Sequence, residues 1–299
     1  MKLYTNGVLV VGMTEIEDKN NNKEKPYENT GIKEGDSIIK VNNQIVNTAE
    51  DLVKEINKSN GNEIDIEYKQ NTELYDTKIN PALVGDDYKI GLWVRDSQAG
   101  VGTLTFYEPT SNTFMSLGHG IQDVDTGDIV EISNGELVTA SIVSITKGQK
   151  DIPGEIRGTI TNGTTIGKIA KNTDFGVYGV LTNKDNIKGI EAEVANRNEI
   201  EQGKAFVICQ LDNEEPKKYE VEIEKVYYLN DKDNKSMQIK ITDEELIKKT
   251  GGIIQGMSGA PIIQNNRFVG AITNVLVKDP TKGYAVFADL LIKQMRKTD

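Results

Sequence analysis

The chain has 299 residues, a formal net charge of −11, 37% hydrophobic and 27% charged residues. That length allows two domains, and the composition sustains packed cores. The negative charge argues against nucleic acid or an anionic membrane surface as the main partner, and one histidine with one cysteine excludes the usual zinc site and any internal disulfide. In chain order, Val8 to Val11 reads as a strand, and Asp18 to Asn29 as a solvated loop. Ile38 to Asn42 is a second strand ending in an Asn-Asn turn, with Ile45-Val46 after it. Thr48 is placed to cap a helix carrying Leu52, Val53 and Ile56 at helical spacing. Ile64 to Tyr68 alternates as a strand does.

The Gly31-Ile32-Lys33-Glu34-Gly35-Asp36 run, the strand with its Asn-rich turn and the helix after it resemble a bacterial PDZ domain. The resemblance implies an α+β domain over residues 1–82 with a peptide in a groove between Val8–Val11 and the Asp51–Ile56 helix. Residues 83–90, with Gly85, Asp86 and Asp87, read as a linker. From Ile90 on, glycines recur and short apolar segments alternate with turn signals: Val101–Tyr107, Ile129–Ile132, Ala140–Ile145, Tyr219–Val226 and Met237–Ile241. These predict a β-barrel or sandwich over 91–299, closed by a helix from Phe287 to Met295. Cys209 sits among apolar residues, as a buried strand position does.

Chemistry concentrates in Gly256-Met257-Ser258-Gly259-Ala260-Pro261. A nucleophilic serine needs its hydroxyl exposed and N–H groups aimed at a developing oxyanion, and glycines permit the turn that does both. The order Gly-x-Ser-Gly-x-Pro resembles the nucleophile loop of chymotrypsin-like serine proteases. The base such a serine needs is available once, as His119 in Leu117-Gly118-His119-Gly120-Ile121. For the carboxylate, Asp243 lies upstream of Ser258, where it could also cap a helix over Glu244–Lys249; Asp123, Asp125 and Asp128 are rivals close to His119. Lys248 or Lys249 could serve a Ser–Lys dyad instead.

Gly91–Ser97, Gly100–Tyr107, Leu117–Ile121, Lys249–Gly259 and Asp279–Tyr284 together resemble the SpoIVB peptidase family, the stage IV sporulation proteases of endospore-forming bacteria. The resemblance implies a mainly β chain, an N-terminal PDZ-like α+β domain followed by a chymotrypsin-like β-barrel serine protease domain. It implies His119, Asp243 and Ser258 as the catalytic set, with the N–H groups of Gly256 and Ser258 as the oxyanion hole. By the chymotrypsin-like layout, Gly252, Thr273 and Asn274 line the substrate. The chain departs from the family at Thr273-Asn274, where a Thr-His pair is usual.

The resemblance further implies a serine endopeptidase acting between forespore and mother cell. Its substrate would be a regulatory subunit of a membrane protease complex, and itself, so that a sigma factor precursor is processed; no cofactor is needed. An inactive PDZ scaffold is the alternative. No apolar run approaches the length of a membrane span, and a membrane tether or export segment ahead of Met1 is expected.

Overall fold

The computed structural model describes residues 1–18, 22–124, 127–160, 163–185, 187–229 and 233–296. The chain divides into two compact units: Leu3–Gln98 with Gln122–Ser133, and Met1–Lys2 with Ala99–Ile121 and Asn134–Asp299.

The N-terminal unit is α+β. Strand β1 (Lys2–Met13) lies antiparallel to β2 (Ser37–Val41), with Val8 opposite Ile38; β2 pairs β3 (Ile64–Gln70), and β3 pairs β4 (Glu73–Ile79). Helix α1 (Ala49–Lys58) starts where the sequence places it. Thr48 accepts the Asp51 N–H and the Asp51 carboxylate returns to the Thr48 N–H, a reciprocal cap. Leu52 and Ile56 are one turn apart on one face and pack with Val8, Val10, Ile38, Ile64 and Ile66. This is the PDZ-like order of elements.

Two expectations need correcting. Residues 83–90 are not a bare linker: Ala82–Val84 pairs with Asp87–Lys89, and Gly85 at φ 66° opens the two-residue turn between them. By contact, the N-terminal unit takes in this hairpin and runs through Gln98. The loop expected over Asp18–Asn29 holds one short pairing, Lys23–Glu24 with Ile16–Glu17.

The groove expected beside β1 is occupied. Strand β5 (Leu92–Ala99) pairs with β1. Thr5 Oγ1 donates to the Asp96 carbonyl at 3.0 Å, and the Asp96 carboxylate accepts the Ala49 N–H at 2.8 Å, at the first turn of α1. The chain's own residues therefore satisfy both the strand edge and the helix start.

In the second unit, one sheet runs β6 (Leu104–Tyr107), β7 (Thr113–Ser116), β12 (Gly176–Leu181), β11 (Thr165–Thr173) and β8 (Ile132–Val138). The strand expected at Ile129–Ile132 is displaced onto Ile132–Val138. There the ladder to β11, with Gly135 opposite Ile169, outweighs the poor strand propensity of Ser133-Asn134-Gly135. A hairpin joins β9 (Ser141–Thr146) to β10 (Glu155–Thr159).

The rest is a closed six-stranded barrel. Its order is β17 (Arg267–Val275), β16 (Pro261–Gln264), β13 (Gly203–Cys209), β14 (Lys217–Val226), β15 (Met237–Ile241) and β18 (Lys282–Phe287), which pairs back to β17. Closure removes open edges, and inward Val207, Val221, Ile239, Ile262, Ile272 and Ala285 fill the interior. Helix α2 (Glu244–Thr250) follows β15, and α3 (Ala288–Arg296) ends the described chain with Leu290, Leu291 and Met295 buried. Among the described residues no helix is long and apolar enough to cross a membrane.

Cys209 ends β13 inside this core, and burial pushes its thiol pKa up to about 12. Iodoacetamide at pH 8 is therefore expected to leave the native chain unmodified and to add one group after denaturation, read by intact mass. Rapid native alkylation would mean that the β13 end opens.

Candidate active site

The nucleophile loop runs from the C-terminus of α2 to β16. Gly251 closes the helix at φ 74°, and Gly256 and Gly259 turn the chain at φ 99° and 87°. Gly259 must be glycine for a second reason. A Cβ there would stand 2.6 Å from the Leu117 nitrogen, inside the backbone of the histidine loop. The two motifs, far apart in sequence, thus meet backbone to backbone. On the other side, a Cβ on Gly118 would stand 3.1 Å from Thr273 Cγ2, so the histidine loop also lies against β17.

Thr103 holds the junction. Its hydroxyl donates to the Gly256 carbonyl at 2.9 Å, its N–H donates to the Ser258 carbonyl at 3.4 Å, and its own carbonyl accepts the Leu117 N–H at 3.2 Å. Within the loop, the N–H groups of Met257, Gly259 and Ala260 are bonded to the carbonyls of Ile254, Ile272 and Met257. Those of Gly256 and Ser258 have no acceptor among the described residues. They are the two donors the sequence singles out for an oxyanion.

His119 and Ser258 are both half-buried. Each is satisfied separately: Ser258 Oγ donates to the Thr273 carbonyl at 3.1 Å, and His119 Nδ1 lies 2.9 Å from the Gly120 carbonyl. A carbonyl only accepts, so Nδ1–H donates this bond and Nε2 keeps its lone pair, the tautomer a general base requires. Asn172 fixes the peptide beyond the ring. It accepts the Ile121 N–H at 2.9 Å and donates to the Ile121 carbonyl at 2.8 Å, while Gly120 N–H bonds to the Asp174 carbonyl. Leu117 sits at φ 77°, the one residue other than Asn, Asp or Gly with positive φ among those described. Such strain costs about 1–3 kcal/mol and gathers at functional sites. No feature of the sequence marks Asn172, Thr103 or this strain.

Asp243 is placed elsewhere. Its carboxylate caps α2, accepting the Leu246 N–H at 2.9 Å, and also takes the Glu220 N–H at 3.3 Å. The register puts Met237 level with Ala285 and so with Ile272. Ile241, two residues before Asp243, is four residues further along β15, about 13 Å on and two strands across. Asp123 is buried and bonded to Arg95 Nη1 at 2.7 Å and to Gln98 Nε2, within the N-terminal unit. Asp128 is exposed there, its carbonyl accepting the Asp123 N–H; Asp125 lies outside the described residues. Lys249 pairs with Glu245 at 2.8 Å, a bond that raises its pKa, the opposite of what a lysine base needs. Lys248 is on the same helix. Gly252 is buried, where a Cβ would strike the Pro280 carbonyl; Thr273 is buried and Asn274 exposed on β17. No group of metal-binding side chains occurs among the described residues.

The family model for SpoIVB peptidase S55 matches residues 86–292. The chain belongs to that peptidase family. The match spans the histidine loop, the nucleophile loop and the whole barrel. No curated protein matches. Among solved structures, the PDZ domain of the SdrC-like protein from Listeria monocytogenes is similar at 18% identity, covering 31% of this chain and 93% of its own, with a TM-score of 0.25. The PDZ-like description of the N-terminal unit rests on its own strand pairing and helix placement.

Two substitutions separate positioning from chemistry in this SpoIVB-family site. Asn is as good an N-cap as Asp, whereas Ala costs about 1 kcal/mol. Asp243→Asn keeps the cap on Leu246 but sets an amide N–H against the Glu220 N–H, so it is expected to lose about 1 kcal/mol of stability while fluorophosphonate labelling of Ser258 stays near wild type, with Asp243→Ala less stable still. A loss near 10⁴-fold in Asp243→Asn, as for a triad amide, would put this carboxylate on the imidazole. Thr103→Val should slow labelling about fivefold by freeing the Gly256 carbonyl, and Thr103→Ser should restore it. Equal rates in both would remove Thr103 from the site's support.

Proposed function

We propose that the protein is a serine endopeptidase in which Ser258 attacks the substrate carbonyl and His119 takes its proton. The N–H groups of Gly256 and Ser258 receive the oxyanion. The observation that carries this reading is the pair of acceptorless N–H groups in a loop seated on the histidine loop. A preorganised donor of this kind contributes about 10²–10³ in turnover. The carbonyl of Gly120 holds the imidazole tautomer in the resting chain, and Asp243 acts through the Leu246 and Glu220 N–H groups. For attack, the Ser258 hydroxyl rotates off the Thr273 carbonyl toward Nε2. Catalytic hydrogen bonds commonly tighten only with substrate present.

Family membership supports the finer reading. The substrate is a regulatory subunit of a membrane protease complex, and the chain itself, cut in the space between forespore and mother cell to permit sigma factor processing. A partner peptide reaching the PDZ-like groove has to displace β5 from β1, which favours a groove that is held shut until a partner arrives. The separate hydrogen bonds of His119 and Ser258 favour a second reading, an inactive scaffold.

Fluorophosphonate labelling decides between them. Wild type is expected to label once, Ser258→Ala not at all, and His119→Ala slower by about 10³-fold or more, with all three folded by circular dichroism. An unlabelled wild type would leave the scaffold.

A further inference from the structure

A groove of about 480 Å³ opens beside Gly256, lined by Val101, Glu155, Ile156, Arg157, Gly158 and Ile160 among others. Its floor is a strand edge. The Ile156 N–H of β10 donates to the Gln255 carbonyl at 2.8 Å, and the Gln255 N–H donates to the Gly154 carbonyl, so this edge of β10 already pairs with the segment leading into Gly256. Gly158 lies two residues on and faces the same way as Ile156.

The opposite edge of β10 pairs with β9, and there Gly158 stands across from Ile142. Both backbone groups of Ile142 are taken by Asn213: its N–H donates to Oδ1 at 2.8 Å and its carbonyl accepts from Nδ2 at 3.0 Å. Ile142 and Gly158 are therefore a non-hydrogen-bonded pair, whose N–H and carbonyl groups turn outward from each other. Those of Gly158 turn into the groove.

We infer that this groove takes the residues that follow the scissile bond, as an extended peptide adding to β10 at Gly158. The inference rests on the serine peptidase reading. On that reading the carbonyl being attacked sits on the Gly256 and Ser258 N–H groups. The Thr273–Asn274 edge holds the Ser258 hydroxyl and lines none of this groove, which leaves it for the acyl side. The amine side then leaves along Gly256 into the groove. A Cβ at Gly158 would stand 3.0 Å from Val101 Cγ2, so Val101 packs directly over Gly158 and walls the groove beside that edge. Val101, Ile156 and Ile160 form an apolar wall, so the substrate class is an unfolded segment with an apolar side chain shortly after the cut. Strand addition of this kind gives affinity through main-chain bonds and specificity through alternate side chains.

The test uses the whole chain and a mixed library of synthetic peptides, with cuts mapped by mass spectrometry and Ser258 labelling measured on the same sample. Cuts are expected where at least two residues follow the scissile bond, with apolar residues enriched there. In a cut peptide, N-methylation of the second or third residue after the bond should lower kcat/KM about fivefold at one of the two positions, the effect of one main-chain hydrogen bond. Gly158→Pro should lower it similarly on the unmethylated peptide. Equal cleavage of both methylated peptides would overturn the groove assignment even if Gly158→Pro fails to fold. So would a chain that labels at Ser258 yet cuts none of the extended peptides. Failure of Ser258 to label would instead defeat the peptidase reading beneath it.

Discussion

Everything in the protease unit depends on one close approach of main chain to main chain, Gly259 against Leu117. Side chains cannot mediate this contact, because there is no room for one. The serine turn reaches the histidine loop only if position 259 lacks a Cβ and position 117 accepts a left-handed backbone. Leucine tolerates that conformation poorly. It is held by burial of its side chain and by the bond from its N–H to the Thr103 carbonyl. The strain is thus local, and the closed barrel beneath it supplies the rigidity that keeps it in place.

The same economy of backbone contacts shapes the electrostatics. Five successive residues, Gly256 to Ala260, divide into those whose N–H groups face inward to carbonyls and two that do not. The division follows from alternating turn geometry around the glycines rather than from any charged side chain. On the histidine side, a carbonyl rather than a carboxylate orients the ring. A neutral acceptor fixes the tautomer but stabilises an imidazolium less than an anion would.

Much of the fold was legible in the sequence because its signals are local. The Thr48 cap, the alternation of Ile64 to Tyr68, Met237–Ile241 and the terminal helix all depend on nearest neighbours, and all stand where patterning puts them. The Ser258 and His119 loops were legible because glycine clusters around a lone reactive residue are rare. What patterning misses is tertiary. Asp243 reads equally as a triad acid or a helix cap, and only the register of β15 against β18 and β17 places it. Thr103 and Asn172 act through backbone groups distant in sequence, for which a threonine or an asparagine carries no signature. Gly85-Asp86 looks like a connector because a two-residue turn has no periodicity to display. The return of Gln122–Ser133 to the N-terminal unit is likewise invisible until the contacts are known.

Strand β5 bears on behaviour away from any site. A long strand such as β1 with one bare edge is a template on which a foreign chain can polymerise. Because β5 lies along that edge, the bare edge left in the sheet of the N-terminal unit is β4, which carries Leu74 and Tyr75 exposed. Fibrillar deposits would then nucleate on β4, with β1 recruited only once heat or denaturant peels β5 away.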